Sequence, residues 1–387
     1  MRIPFFRPSL DGNEYRYLEE VLASGWLNTA GKTAEFEKRF GDFVGSEYAM
    51  AVNSCTAALH LALDALGVGA GDKVLVPSLT FTASAEVIRY LGADPVFLDI
   101  DYATGLLTPG IVEAALNQHA DVKACIVVHY GGQSACMTTP DDRGIVDLCK
   151  KAGVRTVIDA AHAFPASDNY GMVGSIGDIT CFSFYANKCI TTAEGGMAVT
   201  GNSDLAARIR LMRMHGIDRD VWDRFTSKSA KWEYDVAAPG FKYNLSDISS
   251  AIGLAQLERA EFFRCERARC AHLYQSLLSK LETIDLVEPR VRSDQHAWHL
   301  FPIVVRCGAP ISRNELIERL AEDGIGTSVH YKPLHRMTYY RETYHLEEVD
   351  FPMTERFWTG CLSLPIYPCL SDEHVEFVAS RLVHYLT

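Results

Sequence analysis

The sequence predicts an α/β protein with a large domain built on a mostly parallel sheet, followed by a smaller C-terminal α+β domain. Between residues 47 and 200, short β-rich apolar runs alternate with segments of helix length, as in a parallel sheet covered by helices. Several runs end in a polar residue followed by a turn, which is where open α/β sheets bind ligands. The length of 387 residues fits two or three domains of roughly 150 residues each.

The N-terminal part of the large domain is predicted to be helical, and the sheet follows it. Two helices are expected within residues 13–45, on either side of a break at residues 24–31. The predicted strands of the parallel sheet are residues 73–77, 95–99, 124–129 and 156–159. A further pair of strands, 179–184 and 197–200, flanks a loop.

The second domain is predicted to begin with one long helix, from Ser246 to Leu281, that bridges the two domains. Its other predicted elements are a strand and two helices, at residues 297–305, 311–323 and 372–385. We therefore assign residues 1–245 to the large domain with its N-terminal helical segment, and residues 246–387 to the bridging helix and the small domain.

The overall charge argues against two classes of partner. The chain has 37 Lys and Arg residues against 49 Asp and Glu residues, a formal net charge of −12. Nucleic acids and anionic membranes both require clustered positive charge, so neither is an expected partner. No uncharged apolar run reaches the ~18 residues of a membrane span. The first residues lack the apolar core and cleavage site of a signal peptide.

The eleven cysteines predict reduced thiols and a cytoplasmic location. They are scattered from Cys55 to Cys369 without a CxxC pair, and their odd number excludes a complete set of intrachain disulfides. Each is most simply a small buried hydrophobic residue. Cys55 as a nucleophile is the alternative, but nothing around it is typical of a cysteine hydrolase. No metal is expected.

Lys188 is the first candidate for chemistry. It lies in a loop rich in aromatic, small and glycine residues, between the predicted strands 179–184 and 197–200. Burial there would lower the pKa of the amine and make it a better nucleophile and Schiff-base former. The alternative is a lysine that caps a turn with its ammonium group in water, and this is favoured for a lysine considered alone.

Asp159 and His162 follow an apolar run that reads as a strand. A buried carboxylate is costly unless it is paired, and a protonated pyridine nitrogen is a suitable partner. An aspartate that caps the next helix is the common alternative. His162 could lie against such a ring or its phenolic oxygen, or it could be a core histidine with satisfied hydrogen bonds.

Two further segments supply a candidate anion site and an aromatic surface. Ser54, Cys55 and Thr56 stand at the start of an apolar helix whose free N–H groups and dipole, together with the hydroxyl groups, would bind an anion. A plain helix N-cap is the alternative. Phe81 lies at a strand-to-helix turn, where its ring could stack on a planar ligand or pack in the core.

The order of these features is more specific than any one of them: a small polar helix start, an aromatic residue, an aspartate, Ser183 and then Lys188. Over essentially the whole chain, from residues 24–27 to residues 240–248, the sequence resembles the fold type I enzymes that depend on pyridoxal 5′-phosphate (PLP). It resembles in particular the DegT/DnrJ/EryC1/StrS family of sugar aminotransferases. The resemblance implies the PLP-dependent transferase fold type I.

The same resemblance implies a role for each candidate. Lys188 would carry PLP as a Schiff base and later move a proton between cofactor and substrate. Asp159 would pair with the pyridinium nitrogen, and His162 would lie near the other face of the ring or its phenolic oxygen. Phe81 would stack on the ring. The phosphate would be bound by a small polar set, namely Ser54, Cys55, Thr56 and Ser183.

The family also implies a homodimer with its active sites at the interface, in which a polar residue of the neighbouring subunit reaches the phosphate. That residue falls in the stretch 240–244. This chain has Lys242 where many relatives carry Asn, and Asn244 where many carry Arg. Either of the two could make the contact.

The implied reaction has two halves, in which L-glutamate gives up its amino group and leaves as 2-oxoglutarate, and a nucleotide-linked keto sugar takes the amino group. The segment with His330, Tyr331 and His335 resembles loops of members that aminate carbon 4, in particular on a UDP-4-keto-pentose for lipid A modification in the cell envelope. The two histidines could instead be structural. Three basic residues could meet the diphosphate or stay solvated: Lys332, Arg336 and Arg341.

Three alternatives remain. The substrate could be another nucleotide keto sugar, such as a dTDP- or GDP-linked 4-keto-6-deoxyhexose or a 3-keto sugar. The chain could be a dehydratase of keto sugars, but in this family the dehydratases carry His in place of Lys188. It could also be a non-catalytic regulatory protein, although a pure binding protein needs neither Lys188 nor Asp159.

Overall fold

The computed structural model describes residues 2–218 and 234–387. The first part contains two helices, α1 (Glu14–Ser24) and α2 (Gly31–Val44). Each is followed by a glycine, Gly25 or Gly45, whose φ of 71° is a left-handed conformation that glycine adopts without strain. α2 buries Phe36 in the core. The two predicted helices and the break between them are confirmed.

The main sheet has seven strands. They are β1 (Tyr48–Val52), β2 (Lys73–Pro77), β3 (Asp94–Leu98), β4 (Val122–Val128), β5 (Arg155–Asp159), β8 (Ile179–Ser183) and β9 (Gly196–Thr200). Two short strands, β6 (Ser167–Asp168) and β7 (Gly171–Met172), pair separately as a hairpin. In the order β1-β9-β8-β5-β4-β2-β3, only β9 runs opposite to its neighbours. The predicted mostly parallel sheet is confirmed.

Helices cover both faces of this sheet. They are α3 (Cys55–Ala65), α4 (Ala83–Tyr90), α5 (Pro109–Gln118), α6 (Ile145–Lys151) and α7 (Ser203–Met212). Because side chains alternate along a strand, β4 sends Ile126 into the cluster that contains α3 and α4, and Val127 into the cluster that contains α2, α5 and α6. The strands are thus buried on both faces, and polar groups are confined to their ends.

The prediction of one continuous helix from Ser246 to Leu281 is wrong. The structure has two helices, α8 (Asp247–Leu257) and α9 (Ala260–Leu278), with Glu258 and Arg259 between them. Both junction residues bond to the N-terminal segment, since Glu258 accepts hydrogen bonds from Asn13 and Tyr17, and Arg259 pairs with Asp11. These distant contacts redirect the chain at a point where the local sequence contains no glycine or proline.

The C-terminal part contains a smaller antiparallel sheet in the order β10-β11-β12. Its elements are β10 (Ile284–Leu286), β11 (Phe301–Val305), α10 (Arg313–Glu322), α11 (Thr338–Tyr344), α12 (Pro352–Gly360), β12 (Cys361–Leu364) and α13 (Asp372–Leu386). The predicted strand 297–305 begins only at Phe301. Residues 297–300 instead form hydrogen bonds with the segment that follows β4. There the backbone N–H groups of Ala297 and Leu300 donate to the carbonyls of Gly132 and Gly131.

A third hydrophobic cluster joins α9, α10 and α13 with the small sheet, and it also includes Ile3 from the start of the chain. The division of the chain between residues 245 and 246 stays a prediction. Over the ranges that the structure covers, every helix is too short or too polar to pass through a lipid bilayer.

Candidate active site

The carboxyl ends of the parallel strands open onto a cavity of about 420 Å³. Most of the residues predicted from the sequence meet there: Ser54, Cys55, Thr56, Phe81, Asp159, His162, Ser183, Lys188, His330 and Tyr331. Three predicted residues are not among its lining residues: Lys242, Asn244 and His335. The cavity thus unites segments from both the large sheet and the C-terminal part.

Asp159 is the last residue of β5, so the end of an apolar strand delivers its carboxylate to the floor of the cavity. Oδ2 accepts a hydrogen bond from the hydroxyl of Ser84 (2.8 Å), and Oδ1 accepts one from the N–H of Ala161 (3.1 Å). Burial raises the pKa of the carboxyl, although both hydrogen bonds and the charge of Lys188 act in the opposite direction. No described lysine or arginine forms an ion pair with Asp159. A cationic ring nitrogen would supply the missing partner.

Lys188 lies in the loop between β8 and β9, where its N–H donates to the carbonyl of Tyr185 (2.9 Å). The residue is half-buried, and its Nζ has no hydrogen bond or ion pair with any residue in 2–218 or 234–387. Burial lowers the pKa of Lys188 to about 8, while Cys55 and Asp159 act to raise it. A useful fraction of the amine is therefore unprotonated near neutral pH, as a nucleophile requires.

The start of α3 forms one end of the cavity and is the candidate anion site. Ser54 is the N-cap, and its Oγ accepts a hydrogen bond from the N–H of Ala57 (3.1 Å), which leaves its own proton for a ligand. A Cβ on Gly196 would lie 2.5 Å from the carbonyl carbon of Ser54, so the glycine allows β9 to pass close to this turn. Ser183, at the end of β8, adds a third hydroxyl beside those of Ser54 and Thr56.

Cys55 lines the cavity but is not set up as a nucleophile. Its side chain is buried, and this burial raises the pKa of the thiol well above its usual value. A protonated thiol is a poor nucleophile. The structure therefore favours the interpretation of Cys55 as a small buried residue.

His162 and Tyr331 both line the cavity and are hydrogen-bonded to each other. The His162 Nδ1 accepts a hydrogen bond from the N–H of Gly131 (3.3 Å), and its Nε2 lies 2.8 Å from the Tyr331 hydroxyl oxygen. Burial lowers the pKa of His162 well below its usual value, so the ring is neutral. With Nδ1 as acceptor, the ring proton is assigned to Nε2 and is donated to Tyr331. The proton of the Tyr331 hydroxyl then remains free for an acceptor in the cavity.

Phe81 stands at the mouth of the cavity rather than in the core. It is 55% exposed, and its ring centroid lies 5.9 Å from that of Tyr331. The alternative of a core phenylalanine is therefore wrong. An exposed aromatic ring at this point is available to cover a planar ligand.

The three predicted residues outside the cavity have partners within the chain. Lys242 donates from Nζ to Oδ1 of Asn244 (2.6 Å), and Asn244 donates from Nδ2 to the hydroxyl of Thr29 (2.6 Å). His335 is bonded through its ring to Ser78 and to Glu355.

Two of the three basic residues expected near the diphosphate, Arg336 and Arg341, are engaged elsewhere. Arg336 forms ion pairs with Glu348 and Glu355, and Arg341 pairs with Glu342. Paired guanidinium groups of this kind offer less free charge to an anionic ligand.

Two residues of the site were missed by reasoning from the sequence. Ser84 bonds to Asp159 from the first turn of α4, and no local pattern indicates that contact. Asn187 lines the cavity, and its Oδ1 is buried without a hydrogen-bond partner in the described parts of the chain. Its position directly before Lys188 was an available signal.

The donor set fits pyridoxal phosphate. The cavity offers hydroxyl groups and a helix N-terminus for a phosphate, an unpaired carboxylate for a ring nitrogen, and an amine for an aldehyde. Phe81 and His162 provide two flat surfaces among its walls. Within the described ranges, no three metal-ligating side chains form a group that could hold a metal ion.

Comparisons with known proteins agree with this fit. The model of the DegT/DnrJ/EryC1/StrS aminotransferase family matches residues 8–383. The chain is 41% identical over 379 residues to the spore coat polysaccharide biosynthesis protein SpsC of Bacillus subtilis (strain 168), which covers 97% of this chain and 95% of that protein.

Solved structures give the same result. Spr1654 from Streptococcus pneumoniae, described as a sugar aminotransferase, is 31% identical in its pyridoxamine phosphate (PMP) form, with a TM-score of 0.89 and 98% of each chain covered. It is also known in a PLP form. Helicobacter pylori PseC, an aminotransferase involved in the biosynthesis of pseudoaminic acid, is 28% identical with a TM-score of 0.90, covering 100% of this chain and 99% of that one. The predicted fold type, enzyme class and PLP cofactor are confirmed.

Proposed function

The chain belongs to the DegT/DnrJ/EryC1/StrS aminotransferase family, and we propose that it transfers the amino group of L-glutamate to a nucleotide-linked keto sugar. The observation that carries this proposal is the single cavity in which Lys188, Asp159 and His162 meet. The names of its relatives support a sugar as the acceptor, since SpsC is assigned to polysaccharide biosynthesis and Spr1654 is described as a sugar aminotransferase.

Pyridoxal phosphate supplies an aldehyde that takes up the amino group and a ring that withdraws electrons from the adjacent carbon. In the proposed arrangement Asp159 pairs with the ring nitrogen, because it is a buried carboxylate that lines the cavity and accepts hydrogen bonds only from neutral donors. Phe81 and His162 would cover the two faces of the ring. The phosphate would be held at the start of α3 by four residues: Ser54, Cys55, Thr56 and Ser183.

Lys188 is the proposed nucleophile and proton carrier. Its Nζ has no partner in the described chain and its pKa is lowered to about 8 by burial, so it can both take and return a proton at neutral pH. The Nζ would stay in the cavity throughout the reaction. There it could take the proton from the α-carbon of glutamate and later deliver a proton to the carbon of the sugar that receives nitrogen.

Tyr331 is proposed to donate a hydrogen bond to the keto oxygen of the sugar, which the amino group replaces. Its hydroxyl oxygen accepts the proton of His162 Nε2, which directs its own proton into the cavity. Burial raises the pKa of Tyr331, so the hydroxyl stays protonated and can donate a hydrogen bond to the keto oxygen of the sugar. His330 is proposed to line the same side of the acceptor site.

We propose carbon 4 of a UDP-4-keto-pentose as the position that is aminated, on the basis of the sequence of the segment from His330 to His335. A dTDP- or GDP-linked 4-keto-6-deoxyhexose or a 3-keto sugar is the second candidate. A non-catalytic role is disfavoured, because a regulatory protein has no use for Lys188 and Asp159 in one cavity. Both the cell-envelope pathway and the cytoplasmic location stay predictions.

A homodimer with shared active sites is part of the proposal. Lys242 and Asn244 do not line the cavity of their own subunit, which agrees with a role in the cavity of a second copy. Of the two, Asn244 has both polar atoms of its side-chain amide hydrogen-bonded, the oxygen by Lys242 and the nitrogen to Thr29. Light scattering of the purified protein would test the dimer.

The substrate assignment is tested by giving the PLP-loaded protein L-glutamate and one of two acceptors, a UDP-4-keto-pentose or a dTDP-4-keto-6-deoxyhexose. We expect 2-oxoglutarate and a 4-amino sugar with both, and a higher kcat/KM with the UDP sugar. A higher value with the dTDP sugar would overturn the UDP-pentose assignment. Absence of 2-oxoglutarate with every keto sugar, 3-keto sugars included, would overturn the proposed function.

A further inference from the structure

The segment of residues 330–337 carries Tyr331 to the cavity and is held by a set of long-range hydrogen bonds. At its start, the carbonyl of His330 accepts from the Tyr130 hydroxyl (2.7 Å), and the ring of His330 bonds to the Ser363 hydroxyl (2.9 Å). At its other end, the N–H of Leu334 donates to the carbonyl of Ser78 (2.9 Å). The segment is therefore fixed on both sides of Tyr331.

Ser78 directly follows β2, and its side chain is bonded to His335. The Ser78 Oγ lies 2.7 Å from the His335 Nδ1 and accepts a weaker hydrogen bond from the His335 N–H (3.3 Å). On the other side of the ring, Nε2 lies 2.6 Å from Oε1 of Glu355 in α12. The ring also stacks on Phe351, with centroids 4.3 Å apart and an interplanar angle of 6°. Both ring nitrogens and the backbone N–H of His335 therefore have partners.

The bonding pattern defines the protons. The Glu355 carboxylate accepts hydrogen bonds from both Nε and Nη2 of Arg336. Burial acts to raise the pKa of Glu355, but Arg336 and His335 lower it overall, so Glu355 is an ionised acceptor. Nε2 of His335 then carries the ring proton, and Nδ1 accepts the proton of Ser78. The charged groups that face His335 are Glu355, Arg336 and, from the end of β3, Asp99.

Ser78, His335 and Glu355 have the residue types of a hydrolase triad, but burial excludes that chemistry. The side chain of Ser78 is 0% exposed and that of His335 is 1% exposed, so no substrate can reach the serine. Neither residue lines the cavity. The three side chains can act only by holding other groups in place.

One such group is Tyr331, four residues before His335. Ser78 also precedes Phe81 by three residues, so the same hydroxyl ties together the two turns that bring Phe81 and Tyr331 to the mouth of the cavity. We propose that His335 is a positioning residue, which fixes Tyr331 through the hydrogen bonds from Ser78 to His335 to Glu355. This inference rests on the proposed function of Tyr331 as a hydrogen-bond donor.

The test is a double-mutant cycle on amino transfer to the keto sugar, in which protein loaded with the amino form of the cofactor is mixed with the sugar and its conversion back to PLP is followed by absorbance. His335→Gln keeps a donor to Glu355 but loses the acceptor for Ser78, and Ser78→Ala removes the hydroxyl. We expect each to slow the conversion roughly tenfold, and to have no further effect in a Tyr331→Phe background. Equal, additive losses in both backgrounds would overturn the proposal, because they indicate a general structural role.

Hydrogen exchange gives a second readout that needs no substrate. Peptides covering residues 330–337 should exchange at least several-fold faster in Ser78→Ala and His335→Gln, with the peptides of β4 and β5 unchanged. Ser250→Ala is the matched control, because Ser250 is also fully buried and bonds to Thr33 at 2.9 Å, away from this segment. Unchanged exchange in residues 330–337 would overturn the inference.

If the wild-type protein transfers no amino group to a keto sugar, the proposed function fails while the exchange experiment still decides the inference. If the keto sugar reacts normally but the three variants of Ser78, His335 and Tyr331 behave independently, the inference fails and the proposed function stands. The two failures are therefore distinguishable.

Discussion

Two walls of the same cavity differ in how their polar atoms are paired. On the wall made by strand ends, Lys188 Nζ has no partner in the described chain, and Asp159 accepts only from neutral donors. On the wall made by His330 and Tyr331, the His330 ring and the Tyr331 hydroxyl are both hydrogen-bonded, and so is the ring of His335 behind them. Buried groups left unpaired by the chain are costly, so they mark the positions where a ligand supplies the partner.

This difference in pairing separates side chains that take part in the reaction from side chains that keep other groups in position. A side chain that must exchange partners during a reaction cannot be fully bonded within the protein, whereas a side chain that fixes a distance must be. By this criterion the strand wall carries the chemistry, and the other wall orients the sugar. Substitutions on the first wall should therefore affect turnover more than those on the second.

The largest effect is expected for Lys188→Ala. This change removes both the proposed nucleophile and the proposed proton carrier, and general acid–base catalysis alone is worth roughly 10²–10⁴-fold. We expect the visible absorption band of the PLP-loaded protein to shift and 2-oxoglutarate formation to fall by at least about 10³-fold. Lys38→Ala is the control, since Lys38 is exposed, pairs with Asp42 and does not line the cavity. Retention of the band and of turnover in Lys188→Ala would refute the assignment of the central residue.

Asp159→Asn should have the second largest effect. The amide keeps the size of the side chain and can still accept from Ser84, but it carries no charge to pair with a ring nitrogen. Loss of one partner of a buried charged pair corresponds to a decrease in kcat on the order of 10²-fold or more. Ser84→Ala, which removes one hydrogen bond to the same carboxylate, should cost only about fivefold. Equal effects of the two changes would contradict the pairing of Asp159 with the ring nitrogen.

The strand wall could be predicted from the sequence because its signals are local. Asp159 ends an apolar run, and Lys188 lies between two such runs, so the predicted sheet by itself brings them to one edge. The phosphate-binding turn at Ser54 similarly stands directly before a recognisable helix. Their roles, in contrast, came from the order of motifs and the family resemblance.

The contacts that hold the other wall could not be predicted, because they join residues that are far apart in the chain. Ser78 and His335 are separated by 257 positions, and no periodic pattern indicates their hydrogen bond. His335 therefore looked like a substrate residue in the sequence, whereas the structure buries it behind the cavity. The break between α8 and α9 has the same origin, in contacts of Glu258 and Arg259 with residues 11–17.

Tyr331→Phe tests the wall that orients the substrate, and a moderate effect is expected. The change keeps the ring beside Phe81 but removes the hydroxyl that accepts from His162. One hydrogen bond in the reacting complex corresponds to a loss in kcat/KM of roughly tenfold, with PLP binding retained. A loss as large as that of Lys188→Ala would show that Tyr331 belongs with the reacting groups, and the contrast between the two walls would not hold.

The smallest expected effect is a change of stability and of PLP uptake with pH. It tests directly whether the Lys188 amine lacks a partner. Burial lowers the pKa of this amine in the folded protein to about 8, from a usual value of 10.5. The unfolded chain therefore binds more protons between these two values, so the cofactor-free protein should become more stable as pH rises from 8 towards 10.5. Over the same titration, the unprotonated fraction increases roughly fivefold between pH 7 and pH 8.

The rate of PLP uptake by the cofactor-free protein should follow this fraction, rising roughly fivefold from pH 7 to pH 8 and levelling off above pH 9. Stopped-flow absorbance with excess PLP at constant ionic strength measures it. Substituting Asp159 with Asn removes a charge that raises the pKa of Lys188, so the midpoint of the profile should move to lower pH in that variant. A rate that keeps rising to pH 10 would mean that the ammonium group has a partner, and that the two walls do not differ as described.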